Sequence, residues 1–220
     1  MDNPSKIIEG GVEYSLGKFD GENVLYDFPK ILIYLNAKGQ LLFGKKFRIH
    51  NEDKDILLKL CSYFIKDKEN CTNYGIDIDK GILLSGPVGC GKTSLMKILK
   101  YLVPLQRPYL LAPCRNIVFG FNHLGYKTIE DYGDSSSICF DDLGVEPMGR
   151  HYGKDCNVMG EVLLSRYELY LKTKTKVKTH ATTNLNAEEL EERYGNRVRS
   201  RMRELFNLIA FDTGARDKRK

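Results

Sequence analysis

The stretch Gly86-Pro87-Val88-Gly89-Cys90-Gly91-Lys92-Thr93 constrains this chain more than any other. Its spacing, G-x-x-x-x-G-K-[ST], is that of a phosphate-binding loop. Glycines at these positions let the backbone take positive φ and curl its N–H groups around an anion. Lys92 can then reach β- and γ-phosphates and the Thr93 hydroxyl can hold Mg2+, with Ser94 closing the cradle. Upstream, Lys80-Gly81-Ile82-Leu83-Leu84-Ser85 reads as a buried strand. Downstream, Leu95, Ile98, Leu99 and Leu102 recur at helical spacing until Pro104 stops the helix. Strand, loop and helix in this order put phosphates on a helix N-terminus, where the dipole and the free N–H groups favour negative charge. The expectation is a bound nucleoside triphosphate.

A chain of 220 residues fits one sizeable domain, or one domain with a small appendage. Its 42% hydrophobic and 29% charged residues can build a full core. The start, Met1-Asp2-Asn3-Pro4-Ser5-Lys6, does not read as a signal peptide, and no apolar run approaches the ~18 residues of a membrane span. The six cysteines form no C-x-x-C pair, so reduced thiols and a cytoplasmic setting are expected. The four histidines lack metal-ligand spacing, and neither zinc nor histidine catalysis is expected. A net charge of +5 permits a nucleic-acid partner without demanding one.

Residues 1–49 read as a strand-rich or irregular appendage, with glycines punctuating runs such as Ile31–Leu35 and Leu41–Phe43. Ile56, Leu57, Leu60 and Phe64 mark a helix after Asn51, and residues 70–79 a loop entering the nucleotide strand. Beyond Pro104, Tyr109–Ala112 and Asn116–Phe121 are short enough for strands, with a brief helix over 128–132. Ile138–Asp142 is a buried strand ending in two carboxylates. Met159, Val162, Leu163, Tyr167 and Tyr170 outline a helix, followed by a strand over 177–184 and a capping box at Asn186 and Glu189. The alternation Lys172–Lys176 reads as a solvated turn leading into that strand. Leu208–Phe211 is a last strand, and the tail Arg216–Lys220 a solvated end. Alternating strands and helices imply an α/β fold, a parallel sheet with helices on both faces.

Asp141 and Asp142 are the second nucleotide signal. A carboxylate at the end of such a strand holds Mg2+, and its neighbour can orient or deprotonate water; Asp141 is assigned the metal and Asp142 the water. Asn184 ends the strand Ala181–Asn184 at the ligand-binding edge of the sheet, either positioning a lytic water or simply closing the strand. In Arg193–Arg203, Val198, Met202 and Leu205 form a core stripe, with Arg197 and Arg201 on one flank and Arg199 and Arg203 on the other. Guanidinium groups so placed suit phosphates, in nucleic acid or across a subunit interface, or they form a solvated face paired with Glu188, Glu189, Glu191 and Glu192.

Together Gly86–Thr93, Ile138–Gly144, Thr182–Leu185 and Tyr194–Arg203 resemble the AAA+ ATPases of the DnaC/IstB-like group, the helicase loaders and transposition helper ATPases, over residues 50–211. The resemblance implies an AAA+ P-loop NTPase core at 50–211, a partner-contacting appendage at 1–49 and a basic tail at 212–220. It makes Asp141–Glu146 the Walker B stretch, Thr182–Leu185 sensor 1, and Arg201 an arginine finger acting on a neighbouring subunit's ATP, with Arg197 in support. It further implies ATP and Mg2+, single-stranded DNA, a replicative helicase or transposase, and an ATP-dependent homo-oligomer. Two departures stand out. With nine residues after Phe211, no C-terminal helical lid is expected. Asp142 stands where many AAA+ enzymes carry Glu, which suggests slow, switch-like hydrolysis. A P-loop kinase for a small substrate and a nucleotide-dependent module without hydrolysis are the rival readings.

Overall fold

The computed structural model describes residues 3–103, 108–173 and 176–219. The helix expected to run through Leu102 to Pro104 ends earlier, at Leu99, and Tyr101 and Leu102 follow in turns whose N–H groups donate to the Ile98 and Leu99 carbonyls. Pro104 itself lies outside the described residues, as do Met1-Asp2, Lys174-Thr175 and Lys220. The chain divides into two compact units, residues 1–76 with 94–108, and residues 77–93 with 109–220. This division groups the helix after Asn51 with the N-terminal segment, whereas the sequence suggested a boundary near Ile49.

In the first unit, β1 (Lys6–Glu9) and β2 (Val12–Ser15) form an antiparallel hairpin turned by Gly10 and Gly11, both at positive φ. A second hairpin joins β3 (Gly17–Phe19) to β4 (Val24–Tyr26). The runs Ile31–Leu35 and Leu41–Phe43 are not strands: both lie in α1 (Phe28–Phe43). Asp27 caps this helix by accepting the Lys30 N–H, Pro29 stands in its first turn, and Ile31, Tyr34, Leu35 and Lys38 are buried at helical spacing. The helix after Asn51 is α2 (Lys54–Ile65). Part of the expected loop 70–79 is helical, in α3 (Lys68–Asn73), because Asp67 caps it through the Asn70 N–H.

The second unit is built on a five-stranded parallel sheet in the order β11-β5-β10-β7-β6, from β5 (Gly81–Ser85), β6 (Leu110–Pro113), β7 (Ile138–Asp141), β10 (Thr179–Thr183) and β11 (Phe206–Ala210). The phosphate loop joins β5 to α4 (Lys92–Leu99), a helix that begins in this unit and continues into the other. Residues 116–121, read as a strand, lie in α5 (Cys114–Leu124). Cys114, Ile117, Val118 and Phe121 are buried three and four apart, so the helical period wins over the β-branched run. The unit's core joins them to α7 (Val158–Thr173) and α8 (Ala187–Leu205) through Leu83, Phe140, Val162, Leu163, Val198 and Met202. The Arg166 guanidinium is fully buried; it donates to Thr179 Oγ1 at 2.8 Å and to the Ser135 and Lys178 carbonyls, tying α7 to β10 and to the turn before β7.

α6 (Tyr126–Gly133) follows α5, and a short hairpin of β8 (Gly149–His151) and β9 (Lys154–Cys156) stands between β7 and α7. The capping box of α8 is present: Asn186 N–H donates to Glu189, and the Glu188 and Glu189 N–H groups donate to Asn186 Oδ1. Gly195, at φ 79° and ψ 161°, breaks α8 between its acidic start and its arginine-bearing second half.

Candidate functional site

β10 lies between β5 and β7, so the loop after β5 and the carboxylates after β7 meet at the same edge of the sheet across one strand. Gly89 and Gly91 take φ 84° and 106°, the left-handed conformations the loop needs to turn its N–H groups inward. Cys90 is fully buried beneath the loop, and Val88 is exposed at its tip. Lys92, 6% exposed, donates through Nζ to the Gly86 and Pro87 carbonyls at 2.7 and 2.8 Å.

The Thr93 hydroxyl donates to Asp141 Oδ1 at 2.8 Å, joining loop and strand end. Thr182, on β10 and fully buried, donates to the same oxygen at 2.7 Å and accepts the Asp142 N–H at 2.9 Å. Asp141 Oδ2 has no hydrogen-bond partner among the described residues. Asp142 itself leaves the strand at φ 56°, a left-handed turn that swings its side chain out of the ladder. Partial burial at this edge, and then the Asp141 charge, raise its carboxyl above the ordinary range; Lys92 and Arg219 act in the opposite sense. A carboxyl so tuned is closer to the affinity for protons that a general base needs. Asn184 is just beyond β10, and its Oδ1 is buried without a hydrogen-bond partner.

The residues present fit a triphosphate and a divalent cation. The loop supplies donors, the Thr93 hydroxyl and the Asp141 carboxylate form an oxygen donor set for a hard cation, and Asn184 Oδ1 is a buried acceptor awaiting a donor. Lys92, Thr93, Asp141, Asp142 and Asn184 all come from elements that end at this edge. Arg197 and Arg201 make no hydrogen bond or ion pair to the loop. Arg201 donates to Glu204 at 3.2 Å and stacks over the Tyr167 ring at 4.5 Å. Arg197 is exposed and has no ion-pair partner among the described residues. Arg199, expected on the opposite flank to Arg197, is instead 8% exposed.

Three features were not anticipated from sequence. Thr182 orients both aspartates, a role visible only once strand register is known. Glu146, 4% exposed, accepts the Gly144 N–H at 2.8 Å and the Tyr194 hydroxyl at 2.6 Å, and lies 3.6 Å from Arg193. It ties the loop after Asp142 to the start of the arginine segment. The third is an aromatic tip: Tyr126 and Tyr152 are 66% and 94% exposed, linked through the rings of Phe121 and His151, with Arg150 and Lys154 beside them.

No protein-family model and no curated protein matches the sequence. Solved structures do match the fold. The crystal structure of the DnaC helicase loader aligns over 76% of this chain and 95% of its own, with a TM-score of 0.54 at 18% identity. AMPPCP-bound DnaA from Aquifex aeolicus aligns over 81% of this chain and 51% of its own, with a TM-score of 0.52 at 19% identity. PCH-2 from C. elegans aligns over 80% of this chain and 47% of its own, with a TM-score of 0.45 at 14% identity. The chain thus shares the α/β fold of the DnaC helicase loader and DnaA structures, a parallel sheet with a phosphate loop after its β5 strand.

Proposed function

We propose that this protein is an ATP-binding, slowly hydrolysing AAA+ switch that acts with DNA, as a helicase loader or a replication or transposition helper. The observation that carries the reading is the Lys92–Thr93–Asp141 constellation on the loop and strand end, with Thr93 and Asp141 joined at 2.8 Å. Gly86, Pro87, Val88, Gly89, Cys90, Gly91 and Ser94 complete the cradle for the phosphates. Thr93 and Asp141 would hold Mg2+, which when bound neutralises charge on the phosphates. Asp142 takes the proton of the attacking water and Asn184 Oδ1 accepts a hydrogen bond from it, filling the vacant acceptor. The AMPPCP bound by the DnaA of similar fold supports the nucleotide assignment.

Arg201 acts in trans on a neighbouring copy, with Arg197 in support, so hydrolysis requires a homo-oligomer. Both lie away from the chain's own loop contacts, as a residue serving another subunit's site must. Its present partners, Glu204 and the Tyr167 ring, are both reached from an exposed side chain and are exchanged at little cost. Single-stranded DNA is the proposed nucleic acid. Tyr126 and Tyr152 offer stacking faces, and Arg150 and Lys154 offer phosphate contacts, the combination that binds single strands without reading sequence. Residues 1–49 contact the helicase or transposase partner, and the site works in the cytoplasm.

The test is ATP turnover per subunit against protein concentration, with and without single-stranded DNA, for the wild type and Arg201→Ala. The reading expects turnover to rise with concentration and with DNA, and the substitution to abolish the rise. Turnover that is flat with concentration, indifferent to DNA and unchanged by the substitution would remove the assembly and DNA parts of the reading. A requirement for a small phosphate acceptor would move it to a kinase.

A further inference from the structure

The segment after β11 is basic and was expected to be a solvated end. Instead it returns to the phosphate loop. The Lys218 N–H donates to the Gly89 carbonyl at 3.1 Å, and its ammonium donates to the Cys90 carbonyl at 2.6 Å while lying 5.2 Å over the Phe211 ring. Asp217 sits against Gly89 so closely that a β-carbon there would collide with its carboxylate. Arg219 grips the same carboxylate through Nε and a terminal nitrogen, both at 3.1 Å. Its charge is also felt by Asp142 across the site. A carboxylate and two cations therefore lie across a loop whose purpose is to receive phosphates.

We propose that residues 214–219 form a latch on the phosphate loop, which an incoming nucleoside triphosphate must displace. The latch rests on the nucleotide reading above and adds its regulation: the resting chain holds the site closed. The physical grounds are charge and place. Asp217, held by Arg219, fills the space against Gly89, so phosphates seated on the loop there must move its carboxylate away. Its neutralisation by Arg219 lets it rest there in the absence of ligand. Lys218 engages the carbonyls of Gly89 and Cys90, so the loop must release it to rearrange around an anion. The absence of a side chain at Gly89 is what lets the latch seat.

A closed latch reduces apparent affinity by the fraction of chains that are open. Closed in about nine chains of ten, it weakens nucleotide binding about tenfold, the equivalent of ~1.4 kcal/mol. That is within the reach of one or two partly exposed hydrogen bonds.

The experiment uses the full chain with the double substitution Asp217→Ala/Lys218→Ala, neither residue being part of the proposed chemistry. Binding of a fluorescent ATP analogue with Mg2+ is measured beside tryptic cleavage after Arg216, followed by intact mass. The latch predicts about tenfold tighter binding in the variant. It also predicts faster cleavage of the variant without nucleotide, and faster cleavage of the wild type once nucleotide is added. Equal affinities in the two chains overturn the latch and leave the nucleotide reading standing. Weaker binding by the variant also overturns it, showing a tail that clamps the nucleotide. Absence of binding to either chain overturns the nucleotide reading and the latch together.

Discussion

Removing one hydroxyl tests how the site is assembled. Thr182→Val keeps the side chain's shape on fully buried β10 but deletes the oxygen that serves both aspartates. Asp141 Oδ1 loses a 2.7 Å hydrogen bond, one of two it accepts, and the Asp142 N–H loses its 2.9 Å acceptor. A hydrogen bond to a charged group contributes roughly 1.5–3 kcal/mol, and a donor left without a partner costs about 1–3 kcal/mol. The Asp142 N–H is partly open to water, which favours the low end of the second range. The substitution should therefore destabilise by about 2–4 kcal/mol. Thr182→Ser keeps the hydroxyl and loses only a methyl, costing about 1 kcal/mol. Urea denaturation of the three chains reads the difference, and Mg2+-dependent turnover should fall with Thr182→Val and survive in Thr182→Ser. If the two variants match within ~0.5 kcal/mol and both turn over like the wild type, Thr182 does not orient the aspartates.

Asp142→Asn should retain nucleotide binding, lose turnover and leave stability unimpaired, since it removes a charge held beside Asp141; urea midpoints and hydrolysis assays read both. His180 is buried with Nδ1 accepting the Ile82 N–H, and burial, with Lys178 and Arg166, pushes its pKa down to about 3. The unfolded chain takes up a proton near pH 6.5 that the folded chain refuses until about 3, so stability is lost as pH falls through that window. The slope approaches ~1.4 kcal/mol per pH unit, and His180→Asn should flatten it in pH-dependent denaturation. Tyr152→Ala should weaken single-strand binding by about 1–3 kcal/mol at fixed salt without changing nucleotide affinity, as read by fluorescence anisotropy.

The edge that joins Thr93 to Asp141 was legible because its parts are contiguous in sequence. A phosphate loop needs glycines and Lys-Thr at fixed offsets, and an apolar run ending in Asp141-Asp142 announces its own position. The capping box at Asn186 and Glu189 was readable for the same reason, since both bonds are local. Errors arose where short apolar runs suit either period. Residues 116–121 were read as a strand from Ile117 and Val118, although Cys114, Ile117, Val118 and Phe121 carry the helical repeat. In α1 the decisive signals were Asp27 and Pro29, not the apolar residues that follow. The hairpin β8–β9 has three-residue strands and places Tyr152, a non-glycine residue, at φ 47°, so no turn pattern marks it. Thr182, Glu146 and the Lys218 contact depend on residues 40 to 128 positions apart, which no local pattern records.

The most direct measurement is equilibrium binding of a non-hydrolysable ATP analogue, with and without Mg2+, to the wild type and to Lys92→Ala. A cradle built from Lys92, Thr93 and Asp141 predicts saturable binding that is strengthened by Mg2+ and weakened at least tenfold by the substitution. Absence of saturable binding to the wild type, or equal affinity in the two chains, would contradict it.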